Sequence, residues 1–547
     1  MKGITVCSLV AAAATLAICQ EDPLVITRSG PVKGKKVTEN GKDRYEFLGI
    51  PFAEPPVGKL RFKPPVPVSP WSDVREAFSD GPACIQKVGE FLGNTEGTSE
   101  DCLTLNIFSP SLRSNKAVML WIHGGGFTQG SKDIYRLTGL LSEDVVYVSI
   151  NYRLHALGFL SFGNDLVSGN MGLRDQHLAI QWVRANIHLF GGDPDKITIF
   201  GESAGGMSVQ AQVLSPHNEG LLGGAIAQSG SILFVSVATP GQEVEYAENA
   251  AATLGCPTTM DQRTLDCLQN LDAEKLNEPI TDSEESVFNP NLPPKYTFMP
   301  VVDSYATDPF LPVDPLEALV TGKFNKVPYI SGIVKFEGAL FTGGLATLNM
   351  TGADTLALIS SPFYLPFVLH YGQQGKTFGN VARNFYNHPT GDSRLEQEMP
   401  TIDFFTDAAF TSSDQKSVEL MSVHTRHVYN YYLTQHTPNS IVGSLFNLTD
   451  EYTPMHGDDF ALMMLHGSGV LTEGESATAG HMLRYWANFA KYGTPSPVFG
   501  EGAGQQPVWF PVGQEKVDML NVLNCLNMMA QDINMLCLEL HGAKGNP

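Results

Sequence analysis

Four apolar runs in this chain are continuous rather than alternating, and each stops at a polar or glycine-rich turn. Val118-Met119-Leu120-Trp121-Ile122 stops at His123-Gly124-Gly125-Gly126, and Val145-Val146-Tyr147-Val148-Ser149-Ile150 stops at Asn151-Tyr152-Arg153. Ile197-Thr198-Ile199-Phe200 stops at Gly201-Glu202-Ser203-Ala204-Gly205, and the run from Val327 to Val334 stops near Lys335-Phe336-Glu337-Gly338. Unbroken hydrophobicity marks strands covered on both faces. Between the runs the spacing changes. Leu178, Trp182, Ala185 and Leu189 recur at helical intervals, as do Met482, Tyr485, Trp486, Phe489 and Ala490, with Gly493 and Pro495 as a stop. A further helix is expected from Ala204 to Leu214. This alternation predicts an α/β fold, with a mainly parallel central sheet and helices on both faces. Ligands of such sheets bind beyond the carboxyl ends of the strands, where the polar turns fall.

Composition narrows the class. The chain has 547 residues, 43% hydrophobic and 17% charged, with 53 Gly and 35 Pro. It contains no Pro/Ser-rich linker, heptad run, charge block or internal period, so residues 20–547 read as one large α/β domain with long excursions. A formal net charge of −22 repels phosphate backbones and anionic lipid, which argues against a nucleic-acid partner. Lys2, the apolar stretch from Ile4 to Ile18 and the abrupt Glu21-Asp22-Pro23 read as a signal peptide over about residues 1–19, cut near Ala17 to Gln20. Cys7 and Cys19 leave with it or sit at the cut. No later stretch has the length of a membrane span. The C-terminal region is interrupted by Asp532 and Glu539 and ends polar, without a lipid-anchor or retrieval signal. The expectation is a secreted protein with no stable membrane anchor. Its oligomeric state is not legible.

The remaining cysteines, Cys84, Cys102, Cys256, Cys267, Cys525 and Cys537, fall in sequence-local pairs. In an oxidising compartment this reads as three small-loop disulfides. The competing reading, a metal site, needs close C-x-x-C or H-x-x-x-H spacing that these residues lack. Asn349-Met350-Thr351 and Asn447-Leu448-Thr449 are glycan acceptor sequons.

A strand, a G-x-S-x-G turn and a helix together put Ser203 on a nucleophile elbow, where its hydroxyl is exposed to substrate. The glycines Gly201 and Gly205 permit a turn that side chains would block. Upstream, His123-Gly124-Gly125-Gly126-Phe127 fits an oxyanion hole. Backbone N–H groups aimed at the oxygen of a tetrahedral intermediate are worth about 3 kcal/mol each. A phosphate loop would need G-x-x-x-x-G-K-[ST], which is absent.

With these motifs, the chain resembles the type-B carboxylesterase and cholinesterase family of α/β-hydrolases. The resemblance begins at Gly30-Pro31-Val32-Lys33-Gly34 and Phe47-Leu48-Gly49-Ile50-Pro51-Phe52-Ala53. It continues through Pro55-Pro56-Val57-Gly58, Leu60-Arg61-Phe62 and Ser99-Glu100-Asp101-Cys102-Leu103, is densest from Gly169 to Gly206, and ends with the Trp486-Ala487-Asn488-Phe489-Ala490 helix. It implies a serine hydrolase of carboxylic esters without cofactor or metal. Ser203 matches the family's nucleophile, Glu337 its acid and His456 its base, in α/β-hydrolase order. The residues alone leave Asp303 as a rival acid and His424, His427 and His436 as rival bases. Gly125, Gly126 and Ala204 match the oxyanion-hole donors, and Glu202, Ser229 and Asp459 match positions close to the triad. The family's disulfides imply Cys84–Cys102 and Cys256–Cys267. Cys525–Cys537 has weaker family support and follows mainly by elimination, with an intermolecular bond as the alternative. Arg61 with Glu100, and Arg153 with Asp175, match buried ion pairs of the family.

Departures bear on substrate. Cholinesterases carry a tryptophan in the first disulfide loop that holds a quaternary ammonium by cation–π attraction. The stretch from Ile85 to Asp101 has none, and its only aromatic is Phe91. Arg61-Phe62, Asp175-Gln176 and the His456-x-x-Asp459 spacing resemble insect juvenile hormone esterases, which usually have Gln where Glu202 stands. The implied substrate is a small, neutral, fairly apolar ester. A lipase acting on aggregated lipid would use the same triad, and a non-catalytic adhesion relative would lack the serine or the histidine that this chain keeps.

Overall fold

The computed structural model describes residues 22–39, 41–86, 97–234, 241–277, 298–341, 394–440, 443–444, 452–497 and 509–512. The signal segment 1–19, Phe91, Asn349, Asn447, Cys525 and Cys537 lie outside the described residues.

Among the described residues, nine strands form the central sheet: β1 (Lys35–Glu39), β2 (Lys42–Pro51), β3 (Thr104–Ser109), β4 (Lys116–Ile122), β5 (Val146–Ile150), β6 (Gly192–Glu202), β7 (Gly224–Gln228), β8 (Tyr329–Val334) and β9 (Val428–Leu433). Their spatial order is β9-β8-β7-β6-β4-β5-β3-β2-β1. From β5 through β9 every neighbouring pair is parallel. The β1–β3 edge is antiparallel. The four predicted strands are thus β4, β5, β6 and β8, and the sheet is mainly parallel as expected.

The continuous apolar runs follow from burial on both faces. In β4, Val118, Leu120 and Ile122 join one core with Leu178, Trp182 and Val183 of α1 (Met171–Asn186) and Val209 and Val213 of α2 (Ala204–Leu214). Met119 and Trp121, of opposite parity, join a second core with Met482, Leu483, Trp486 and Phe489. These last belong to α4 (Glu473–Tyr492), which a Thr472/Glu475 capping box starts and Gly493, at φ 72°, ends. The helix from Asp458 to Leu465, α3, packs between the site and α4. The fold is an α/β-hydrolase fold. Among the described residues no helix is long and apolar enough to cross a membrane.

Among the described residues, disulfides and buried ion pairs hold the excursions. Cys84–Cys102 and Cys256–Cys267 are disulfide-bonded. Arg61 meets Glu100 with two bonds of 2.7 Å and donates to the carbonyls of Leu268, Gln269 and Leu271. It therefore joins the first disulfide loop to the helix that carries Cys267. Arg153 meets Asp175 with bonds of 2.7 and 2.6 Å, both side chains being buried.

Candidate active site

Ser203 sits between the end of β6 and the first residue of α2, with φ 58° and ψ −127°. Holding a non-glycine residue there costs about 1–3 kcal/mol, which the surroundings must impose. They do so by close approach. A Cβ on Gly201 would lie 2.5 Å from the Ile122 carbonyl oxygen, and one on Gly205 would lie 2.2 Å from the same atom. The Ser203 N–H donates to the Gln228 carbonyl at 2.9 Å. The end of β4 thus packs directly under the turn, and only glycine allows it.

The glycine loop leaves β4 beside this turn. A Cβ on Gly124 would stand 3.1 Å from Ser203 Cβ and 3.0 Å from Glu202 Oε2. Gly125 and Gly126 have φ 106° and 62°. Ala204 is the first residue of α2 and is buried. Its N–H is one of the free donors at the positive end of a helix dipole. The Gly124 carbonyl lies 2.9 Å from His123 Nδ1. Burial pushes the His123 imidazole down to about 4, so this ring is neutral at pH 7.

Glu337 and His456, 119 residues apart, meet here: His456 Nδ1 is 2.6 Å from Glu337 Oε2. Glu337 has no solvent exposure, and its Oε1 accepts the Val334 N–H at 2.9 Å. A backbone bridge between Phe336 and Met455 brings the two loops together. His456 Nε2 lies 3.1 Å from Glu202 Oε1, an ion-pair distance without hydrogen-bond alignment. Among the described residues no hydrogen bond joins Ser203 Oγ to His456. In free enzymes such bonds are often long and tighten with substrate bound.

The rivals are elsewhere. Asp303 accepts the N–H groups of Phe310 and Leu311 at 2.9 and 2.7 Å, fixing a loop. His424 Nε2 lies 3.1 Å from the Val320 carbonyl, and His427 and His436 are exposed.

Electrostatics couple the cluster. Burial pushes the Glu202 carboxyl up, with Asp459 and Glu337 adding to the rise and the His456 imidazolium beside it pulling it back down. Burial alone would lower His456, but the Glu202 and Glu337 carboxylates outweigh it and hold the imidazole above its ordinary value. Asp459 is buried and pushed up by that burial, against bonds from Gln228 Nε2, the Tyr431 hydroxyl and the Phe460 N–H. Gln228 is in turn tied to Trp486 Nε1 at 3.1 Å. Ser229 is buried at φ 49° with its Oγ unbonded, so no hydrogen bond ties it to the triad cluster. Among the described residues no group of three or more His, Cys, Asp or Glu could hold a metal ion.

Sequence reasoning missed Gln228, Tyr431 and Phe410. Gln228 carried a signal: it is the polar end of an otherwise apolar strand. Phe410 lies in a π-helical turn, Thr406–Thr411, whose period matches neither helix nor strand. Its ring is 5.0 Å from the His456 ring and 5.4 Å from that of Phe234.

Comparisons with known proteins show the family. The carboxylesterase family's sequence model matches residues 21–536. A carboxylic ester hydrolase of Bombus ignitus is 34% identical over 503 residues, covering 87% of this chain and 86% of that protein. Venom carboxylesterase-6 of Apis mellifera is 34% identical, covering 86% of each. A juvenile hormone esterase of Tribolium castaneum is 33% identical, covering 93% of this chain and 88% of that protein. The chain belongs to the carboxylesterase family and is a carboxylic ester hydrolase.

Proposed function

We propose that the chain hydrolyses neutral, fairly apolar carboxylic esters through an acyl-enzyme on Ser203, with His456 as base and Glu337 as its acid. The observation that carries this reading is the meeting of four separate segments: the turn of a strained Ser203, the adjoining glycine loop, and the two loops that bring together the buried Glu337–His456 pair. His456 Nε2 takes the Ser203 Oγ proton as the oxygen attacks the ester carbonyl. Glu337 fixes the imidazole tautomer and stabilises the imidazolium. The N–H groups of Gly125, Gly126 and Ala204 receive the oxyanion. The imidazolium then protonates the departing alcohol, and water repeats the sequence on the acyl-enzyme. Asp459 and Glu202 set the field around the imidazole.

The apolar character of the substrate is supported by Phe234, Phe341 and Phe410, which pack with Ile333 next to the histidine. One domain over 20–547 and secretion after loss of residues 1–19 belong to the same reading, supported by the two disulfides. The partner is a small ester, with no nucleic acid. The test is Ser203→Ala together with a serine-directed organophosphate. The variant should fold, lose turnover by a factor of order 10⁶ and take up no label. A tenth of wild-type activity in the alanine variant would overturn the assignment. A folded wild-type protein that takes no label would favour a non-catalytic relative.

A further inference from the structure

The glycine loop is strained beyond its glycines. Gly125, Gly126 and Phe127 take φ of 106°, 62° and 61° in succession. Glycine adopts such values freely, but a phenylalanine there is an outlier that its surroundings must enforce.

Two residues outside the triad do so. Thr128 closes the turn: the Gly125 carbonyl accepts the Thr128 N–H at 3.0 Å, the Gln129 N–H at 3.0 Å and the Thr128 hydroxyl at 3.1 Å. In a trans peptide the C=O of one residue and the N–H of the next point opposite ways. Holding the Gly125 oxygen therefore holds the Gly126 N–H. His155 holds the other side: its N–H donates to the Phe127 carbonyl at 2.9 Å, and its imidazole lies beside the Thr128 backbone. The Phe127 ring stands edge-on to Phe159, on the same short helix as His155, at 5.0 Å.

His155 is a costly choice for the fold alone. Its φ is 53°, its side chain is buried, and its Nδ1 has no hydrogen-bond partner. Glycine would adopt that φ without strain and would carry no unbonded Nδ1. Burial pushes the ring down to about 3, so it adds no charge beside the loop. What the imidazole supplies is a second contact beside Thr128.

We propose that Thr128 and His155 are positioning residues that clamp the Gly125–Gly126 peptide, so that the Gly126 N–H is preset for the reacting oxygen. This rests on the esterase reading above. A donor fixed in advance acts on the charge of the transition state more than on the neutral ester, so the clamp acts on kcat rather than on KM.

The experiment measures kcat and KM for a p-nitrophenyl butyrate substrate and Ki for a trifluoromethyl ketone. The proteins are wild type, Thr128→Val, Thr128→Ser and His155→Gly. Thr128→Val should lose about tenfold in kcat, one hydrogen bond's worth, with KM within about twofold and Ki raised by the same factor as kcat falls. Thr128→Ser, which keeps the hydroxyl, should recover to within about threefold. His155→Gly should show the same split of kcat from KM in a protein that still unfolds cooperatively. Wild-type kcat in either Thr128→Val or His155→Gly overturns the clamp, as does a loss of kcat with unchanged Ki. If the valine variant does not fold, the glycine variant decides by the same criteria. A wild type without ester turnover overturns the esterase reading and the clamp with it. Normal turnover in the variants overturns the clamp alone.

Discussion

His456 Nδ1 lies 2.6 Å from Glu337 Oε2, and the carboxylate's other oxygen is occupied by the Val334 N–H. The acid is thus fixed at both oxygens before it orients the ring. Replacing it by the amide keeps the shape but supports the wrong tautomer. Glu337→Gln should lower kcat by about 10⁴-fold, the scale of such a change in serine triads, with little effect on KM. Steady-state kinetics with a neutral ester measure this, and a normal kcat would show that Glu337 does not orient the catalytic histidine.

The pH profile should depart from that of a free histidine. The base must be neutral to accept the serine proton, and an ordinary imidazole titrates at about 6.5. The Glu202 and Glu337 carboxylates favour the imidazolium and hold His456 higher. The acid limb of kcat/KM should therefore lie above pH 6.5. Glu202→Gln removes one of those negative groups, so the imidazolium is less favoured and the limb should move to lower pH. A limb that stays in place, or moves up, contradicts the coupling between Glu202 and His456.

Much of the scaffold was legible because burial on two faces leaves a continuous apolar run. Lys116–Ile122 and Val146–Ile150 could be read directly, and so could the helix Ala204–Leu214 behind the serine. The antiparallel edge was not, because Lys35–Glu39 and the first half of Lys42–Pro51 are polar and carry no core signal. Glu337 and Asp303 looked alike in the sequence, since both follow apolar residues. Only tertiary structure separates them, one facing a histidine 119 residues away and the other capping a loop. The strain at Phe127 and His155 was equally hidden, because positive φ in a non-glycine residue has no sequence signature.

Breaking a buried ion pair should cost more than removing it. Asp175 has no exposed side-chain surface and Arg153 little, and the carboxylate also accepts the Arg153 N–H at 3.0 Å. Asp175→Ala strands a guanidinium in the core and should destabilise by about 3–5 kcal/mol. Replacing both residues by apolar ones of similar volume should cost less than the single change. Urea unfolding of the single and double variants checks the order, and a double variant worse than Asp175→Ala would refute it.

A choline ester should be the poorer substrate. Beside the two carboxylates that meet its nitrogens, the His456 ring faces an apolar cluster, with Phe410 5.0 Å away and Phe234 and Phe341 against it. The stretch from Ile85 to Asp101 carries no tryptophan, so a quaternary ammonium forgoes a contact worth up to about 2 kcal/mol. A butyryl chain has two more methylenes than an acetyl, and burying them contributes about 1.6 kcal/mol, near fifteenfold. The net charge of −22 works the other way by attracting cations, but steering raises the encounter rate without supplying a pocket, and salt screens it. The kcat/KM for a neutral butyrate ester should exceed that for acetylthiocholine by about tenfold or more at physiological ionic strength. Equal or better use of the choline ester would mean that the phenylalanines beside His456 themselves form an ammonium site.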